Sequence, residues 1–181
     1  MRLYPPEVSF VAPDAELGSR LRPIARRIFS ETFGHLYDGD ALRTFCDGYY
    51  GIDGPMANDL ADPSVGWRIA VVDNRPIGYA KLTPLRAPAT NAPDGSLELQ
   101  QIYVLSQWHG QGVADELMNW AIGSARSAGA PELYLTVFSH NERAKRFYTR
   151  YGFDEVGRCT FVLGDYRDDD RIWRKVLRRS P

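Results

Sequence analysis

The sequence has few cysteines, no long apolar run and no excess of charge. Its two cysteines, Cys46 and Cys159, form no Cys-x-x-Cys pair, so we expect neither a zinc site nor a disulfide framework. No apolar stretch approaches the ~20 residues that span a bilayer, and the first residues lack the apolar core of a secretory signal. We therefore expect a cytoplasmic protein without a membrane partner.

The charges almost cancel. Lys and Arg number 22, Asp and Glu number 23, and the formal charge is −1, which gives no bulk attraction to nucleic acid. His35 and His140 are isolated, so no metal is expected. A length of 181 residues with 44% hydrophobic residues predicts a single globular domain over residues 1–181.

Hydrophobic periodicity predicts an α/β or α+β domain, in which short strands mix with helices. The predicted helices are Asp14 to about Tyr37 (with Pro23 inside), Ala41–Tyr50, Ala114–Ser127 and Glu142–Tyr151. The predicted strands are Arg68–Val72, Ile77–Leu82, Leu97–Leu105, Leu133–Phe138, and two near Phe153–Leu163 and Ile172–Leu177. Gly51–Gly66 and Pro84–Gly95 are rich in turn residues and are predicted to be loops.

The alternation of apolar residues slips by one position at Gln100 and Gln101, between Leu99 and Ile102. A β-bulge produces such a slip. It would leave backbone N–H and C=O groups near Ile102–Val104 open to an extended, amide-bearing ligand. Alternatively, Gln100 and Gln101 simply face solvent.

A glycine-bearing turn, Gln107–Gly112, directly precedes the third helix. Unpaired N–H groups and the positive end of the helix dipole suit a pyrophosphate. The turn is neither a Walker A loop nor a G-x-G-x-x-G fingerprint, because Asp115 stands at the third glycine position. Taken alone, a Gly-x-Gly turn before a helix is a weak signal, and a simple tight turn is the favoured interpretation.

The fourth predicted helix begins at Asn141, a good N-cap residue. Ala144, Phe147, Tyr148 and Tyr151 share one of its faces. Core packing explains Phe147 and Tyr151. Tyr148 differs from them only if its hydroxyl reaches a cleft.

Together, Gln-x-x-Gly-x-Gly and Asn-x-x-Ala-x-x-Phe-Tyr-x-x-x-Gly-Phe resemble the GNAT superfamily of acetyl-CoA-dependent N-acetyltransferases. The resemblance implies a mixed, mostly antiparallel sheet of six to seven strands flanked by about four helices. It also implies that acetyl-CoA is the co-substrate and that Tyr148 is the general acid for the departing thiolate. The cofactor-binding residues that it implies are Ile102, Tyr103, Val104, Gln107, His109, Gly110, Gln111, Gly112, Val113, Ala114, Asn141 and Tyr148.

Two further stretches, Ser96–Tyr103 and Phe161–Asp165, resemble the bacterial spermidine/spermine N-acetyltransferases. Glu31–Phe33 in the first helix is similar too. This closer resemblance implies a small-molecule amine acceptor, for which a polyamine is one candidate. We expect a monomer or a homodimer.

Acetyl transfer needs a neutral amine, so a base must remove a proton from the ammonium. Glu98, between Leu97 and Leu99 on the third predicted strand, is our candidate. A solvated strand glutamate or an ion-pair partner is the alternative. His109 is more simply a loop histidine than a catalytic one, and Cys159 a small core residue.

Acidic and aromatic side chains in the Thr32–Gly66 region suit an organic cation, although loops are ordinarily polar. They are Tyr37, Asp38, Asp40, Asp47, Tyr49, Tyr50 and Asp53. The acidic cluster Asp165, Asp168, Asp169 and Asp170 is more simply a solvated hairpin loop. A non-catalytic acyl-CoA sensor and a protein N-terminal or lysine acetyltransferase remain alternative functions.

Overall fold

The computed structural model describes residues 7–177. A seven-stranded sheet has the strand order β1-β2-β3-β4-β5-β7-β6. The chain divides into two compact units. The first unit comprises residues 7–81 and Ile102–Asn119, and the second comprises Leu82–Gln101 and residues 120–177.

The sheet and helices have the following bounds. The strands are β1 (Ser9–Val11), β2 (Gly66–Val72), β3 (Arg75–Pro84), β4 (Leu97–Val104), β5 (Glu132–Phe138), β6 (Asp154–Leu163) and β7 (Tyr166–Val176). The α-helices are α1 (Ala15–Phe33), α2 (Gly39–Tyr49), α3 (Pro55–Ala61), α4 (Val113–Ser127) and α5 (Glu142–Arg150).

In the first unit, α1 begins at the N-cap Asp14, whose carboxylate accepts the Leu17 N–H at 2.7 Å. Pro23 lies inside this helix and does not end it. The β2–β3 hairpin turns through Asp73 and Asn74, with φ of 47° and 60°. These values fit a two-residue turn whose twist matches the adjoining strands.

The prediction that Gly51–Gly66 is entirely loop is wrong, because α3 lies within it. Pro55 occupies the first turn of α3, where its missing N–H breaks no helical hydrogen bond. Met56 is completely buried, so tertiary packing outweighs the turn propensity of this segment. Strand β1, which no sequence pattern indicated, pairs antiparallel with β2.

In the second unit, β4 runs parallel to β5, and the register between them joins Leu97 to Leu133 and Glu98 to Tyr134. β5 pairs antiparallel with β7, and β7 pairs antiparallel with β6. The prediction that Asp168–Asp170 lie in a hairpin loop is wrong. They belong to β7, which pairs with β6 up to a short turn at Gly164 and Asp165.

The predicted mixed α/β fold is confirmed, and residues 7–177 contain seven strands and five α-helices rather than about four. The core face predicted for α4 is also confirmed. Leu117, Met118, Ala121 and Ala125 are completely inaccessible to solvent, and Ile122 is buried. Among the described residues, no helix combines the length and the apolar character needed to cross a membrane.

Candidate functional site

The turn before α4 has the conformation that its glycines suggested. Gly110 and Gly112 have φ of +73° and +81°, in the left-handed region that other residues rarely adopt. A Cβ at either position would meet no atom within 4 Å. Backbone conformation, not crowding, therefore requires glycine here. Val113, which starts α4, is buried, and the Gly112 carbonyl accepts the Glu116 N–H at 3.1 Å.

His109 ties this turn to strand β4. Its Nε2 lies 2.8 Å from the carbonyl oxygen of Val104, and since a carbonyl only accepts, the ring nitrogen donates. The Gln107 carbonyl likewise accepts from the Gln111 side chain at 2.9 Å. The first hydrogen bond joins the turn to β4, and the second links two residues within the turn. The Val104 carbonyl is therefore engaged within the protein.

The β4 residues predicted to bind the cofactor have different surroundings. Tyr103 is half-buried, and its ring lies 5.9 Å from that of Tyr79 and 6.4 Å from that of Phe33. Ile102 is also half-buried, whereas Val104 is buried. The bulge expected at Gln100 and Gln101 stays a prediction.

In the second unit, Asn141 caps α5 as predicted. Its Oδ1 accepts the Ala144 N–H at 3.1 Å. The adjoining turn is held by Lys145, which donates to the Ser139 carbonyl at 2.7 Å and pairs with Glu142 at 2.5 Å. The N-terminal turn of α5 is thus fixed from both sides.

Tyr148 is the buried aromatic residue of α5, whereas Phe147 and Tyr151 are half-buried. The expectation that Phe147 and Tyr151 form the core contact therefore needs correction. The Tyr148 ring packs 6.1 Å from Phe153 and 6.5 Å from Trp173. Its hydroxyl makes no hydrogen bond within residues 7–177, and burial raises its pKa. The hydroxyl therefore keeps its proton at neutral pH.

Glu98 is buried, with 4% of its surface exposed. Its Oε2 accepts the backbone N–H groups of Arg86 at 2.8 Å and Ala87 at 2.7 Å. It is therefore not the solvated strand glutamate of the alternative interpretation. Its carboxylate anchors the start of the loop between β3 and β4.

Glu98 and Tyr148 approach opposite faces of the sheet. Directly paired residues share a face, and successive residues of a strand alternate. Glu98 pairs with Tyr134, so it lies on that face. Trp173, which contacts Tyr148, pairs with Leu135 and lies on the other face.

Several acidic residues proposed to attract a cationic acceptor have structural partners. Asp38 caps α2 by accepting from Asp40 and Ala41. Asp40 pairs with Arg43, and the Asp47 carboxylate lies 2.5 Å from Arg26. These contacts favour the alternative interpretation, in which the polar groups of this region serve the fold.

The aromatic residues of the same region surround a cation of the protein itself. Lys81 is completely buried, and its Nζ lies 2.7 Å from Asp59 and 3.1 Å from the Tyr49 hydroxyl. The rings of Tyr49 and Trp67 lie 5.7 and 5.5 Å from the ammonium. No sequence pattern indicated this cluster, because its members come from α2, α3 and two strands.

Asp170 is a further candidate, which the sequence indicated only as one member of an acidic cluster. It pairs with Phe138 on β5 and with Cys159 on β6. Burial, followed by the charges of Asp168 and Asp169, raises its pKa to about 6. Cys159 is half-buried rather than in the core, and burial raises its pKa to about 11, with Asp170 and Glu98 adding to the effect.

Comparison with known proteins agrees with this architecture. The sequence model of the "Acetyltransferase (GNAT) family" matches residues 21–153. An uncharacterized N-acetyltransferase of Mycobacterium bovis is 35% identical over 122 residues, which cover 67% of this chain and 74% of the relative. An uncharacterized N-acetyltransferase of the pepI 3′ region of Lactobacillus delbrueckii subsp. lactis is 29% identical over 85% of this chain and 88% of its own.

The fold also matches a solved structure. The PaiA N-acetyltransferase of Thermoplasma acidophilum, crystallised in complex with coenzyme A, superposes with a TM-score of 0.75 at 18% identity. The match covers 94% of this chain and 99% of that one.

Proposed function

The chain belongs to the acetyltransferase (GNAT) family, and we propose that it transfers the acetyl group of acetyl-CoA to the primary amine of a small molecule. The observation that carries the proposal is the turn Gln107–Gly112. Two glycines with positive φ lie directly before a fifteen-residue helix, an arrangement that suits an anionic phosphate.

In this proposal, the N–H groups of the turn and of Val113 and Ala114 hold the pyrophosphate of the cofactor. The backbone of Ile102, Tyr103 and Val104 holds the pantetheine arm. The Val104 carbonyl already accepts from His109, so the other backbone groups of this strand make the contacts in this proposal. Asn141 adds a hydrogen bond through the part of its amide that does not cap α5.

Tyr148 is our proposed general acid. The attacking amine forms the N–C bond directly, the C–S bond breaks, and the Tyr148 hydroxyl protonates the departing thiolate. No covalent enzyme intermediate is needed, and positioning supplies much of the rate. The role needs a protonated hydroxyl when the thiolate forms, and Tyr148 is protonated at neutral pH, although the burial that raises its pKa also makes it a weaker acid. Glu98 is the base that sequence analysis favours.

A polyamine is the acceptor that we consider first. Asp168 and Asp170 share one face of β7, and carboxylates attract a cationic chain. The structural use of Asp38, Asp40 and Asp47 argues against a second acidic surface in the α2 region. The alternative acceptors are a protein N-terminus and a lysine side chain.

The test is to incubate the protein with acetyl-CoA and an amine panel, and to follow free thiol and acceptor mass. The panel contains spermidine, an aliphatic monoamine, an amine that bears an anionic group, and a peptide with a free N-terminus. Transfer to a small amine is the expected result. Acetyl-CoA binding without transfer to any acceptor would instead support the non-catalytic sensor.

A further inference from the structure

Two carboxylates on one face of the second unit have opposite environments. Glu98 is buried and accepts two backbone N–H groups of the following loop. Asp170 is half-buried, and within residues 7–177 it has no hydrogen bond or ion pair. A carboxylate that is partly desolvated and unpaired is unfavourable for folding.

Strand register places Asp170 on the face of Glu98. Glu98 pairs with Tyr134, and Phe138, four residues further along β5, pairs with Asp170. An even separation along a strand keeps the side chains on one side. Cys159 pairs with Asp170, and both Glu98 and Asp170 act electrostatically on its thiol.

The neighbouring Asp169 provides a contrast. It lies on the opposite face, and its Oδ2 accepts from Arg171 at 2.7 Å. Asp168 lies on the same face as Asp170 but, unlike Asp170, interacts with another group of the protein. Asp170 thus differs from both acidic neighbours in being unpaired.

We propose that Asp170, rather than Glu98, is the general base that takes a proton from the acceptor ammonium. The inference rests on the proposed acetyl transfer and assigns a residue to its first step. Glu98 then acts as a positioning residue that anchors the loop between β3 and β4. Its two short bonds to the backbone suit that role.

The protons balance as follows. The acceptor ammonium gives one proton to the Asp170 carboxylate, and the freed nitrogen lone pair forms the N–C bond. The C–S bond breaks and Tyr148 protonates the thiolate. The nitrogen loses its second proton to solvent, and Tyr148 regains one proton from solvent. Asp170 finally releases its proton to solvent. The net products are the acetamide, free coenzyme A and one proton.

The electrostatic surroundings of Asp170 suit a base that works near neutral pH. Asp168 on its own strand, Cys159 on β6 and Phe138 on β5, whose ring contacts His140, lie on its face, and Asp169 acts on it from the other face of β7. The two aspartates and burial raise its pKa to about 6. A base is most effective when its pKa is close to the working pH.

The experiment compares pH profiles of kcat/KM for the wild-type protein and for Asp170→Asn, Asp169→Asn and Glu98→Gln. Spermidine is the first acceptor, or the panel amine that is acetylated fastest. Acetyl-CoA affinity is measured alongside and should be unchanged in Asp170→Asn. Asp169→Asn is the matched control, because it removes an adjacent carboxylate from the other face.

We expect kcat/KM of the wild-type protein to fall as the pH drops below about 6, which gives its pH profile an acidic limb. Asp170→Asn should lower kcat/KM at pH 7 about 100-fold or more, the range typical of a general base. Its residual activity should rise about tenfold per pH unit toward the pKa of the amine, near ~10, as free amine accumulates. Asp169→Asn and Glu98→Gln should keep an acidic limb, which moves to somewhat lower pH in Asp169→Asn because the charge of Asp169 helps raise the pKa of Asp170.

Three outcomes would overturn the inference. The first is an Asp170→Asn protein that keeps its activity and the limb. The second is an activity loss that is equal at every pH, which indicates a structural role. The third is loss of the limb in Glu98→Gln alone, which returns the base role to Glu98. A folded wild-type protein that acetylates no amine would overturn the proposed function and this inference with it.

Discussion

The ammonium of Lys81 lies 2.7 Å from the carboxylate of Asp59, and neither side chain is more than about one-tenth exposed. Lys81 belongs to β3, and Asp59 to the short helix α3. The Tyr49 hydroxyl on α2 completes the contacts of the ammonium. One buried cation therefore joins α2 and α3 to the sheet of the first unit.

Removing one member of this pair should be much worse than removing both. Asp59→Ala leaves Lys81 buried without its counter-charge, a loss of about 3–5 kcal/mol in the free energy of unfolding. The double variant Asp59→Leu/Lys81→Met should recover most of that loss, since apolar replacements of a buried pair are often tolerated. Urea unfolding of the two variants provides the comparison. Equal destabilisation would show that the charge pairing is not what holds α3.

The glycines before α4 should be needed for their backbone conformation. Gly112→Ala should lower stability by ~1–2 kcal/mol because its φ is +81°, and should weaken acetyl-CoA binding by disturbing the turn. Gly123→Ala is the matched control. Gly123 lies exposed within α4 with open space around it, so alanine there should stabilise by ~0.5–1 kcal/mol. Unfolding curves and acetyl-CoA titrations test both, and unchanged affinity in Gly112→Ala would remove the turn from the cofactor site.

Local signals predicted much of this molecule. The glycines at 110 and 112 stand directly before an amphipathic helix, and Asn141 stands directly before α5, so each could be placed from its neighbours in sequence. The apolar face of α4 follows from spacing alone. In such cases the interactions that fix the structure lie within a few residues.

Features that depend on contacts between segments far apart in the chain could not be predicted from the sequence. Helix α3 depends on packing and on the contact of Asp59 with Lys81, which is 22 residues away. The early part of β7 is polar and looks like a loop, yet it pairs with β6 through Asp168–Asp170. Within residues 7–177, Asp170 is unpaired because of the residues that β5, β6 and β7 place around it. No local sequence pattern encodes that arrangement.

The two amide contacts of Glu98 predict how its variants behave. Glu98→Gln keeps a carbonyl oxygen that can accept from Arg86 and Ala87, so the loop should stay ordered. Glu98→Ala leaves both N–H groups without their acceptor, at ~1–3 kcal/mol each where they are buried. We expect faster proteolysis within residues 85–95 in Glu98→Ala than in Glu98→Gln. Equal cleavage of both variants would contradict the anchoring role.

Tyr148→Phe should separate catalysis from packing. The ring contacts with Phe153 and Trp173 survive the change, and the hydroxyl has no hydrogen bond to lose within residues 7–177. Stability should therefore change by less than ~0.5 kcal/mol. The rate kcat should fall about 100-fold, as expected for loss of a general acid, with acetyl-CoA affinity nearly unchanged. Tyr151→Phe, at the residue that follows α5, is the control. An unaltered kcat in Tyr148→Phe would exclude the acid role.

Asp170 should make folding stability depend on pH in an unusual direction. Its pKa is raised from 3.8 to about 6 in the folded protein, so the folded state binds the proton more tightly than the unfolded chain. This contribution to stability is complete below about pH 4 and is lost as the pH rises through 6. Asp170→Asn should thus stabilise the protein at pH 7–8 and lose that advantage near pH 4. The gain should be ~1 kcal/mol after allowance for the exposed part of the side chain.

Urea unfolding at pH 4, 6 and 8 tests this dependence, with Asp169→Asn as the control. The exposed pair that Asp169 forms with Arg171 is worth less than about 1 kcal/mol, and its removal should not stabilise the protein at pH 8. A loss of stability in Asp170→Asn at pH 8 would mean that the carboxylate is held by favourable contacts. The combination expected here, a more stable but slower enzyme, would indicate that the unpaired carboxylate is kept for the reaction it performs.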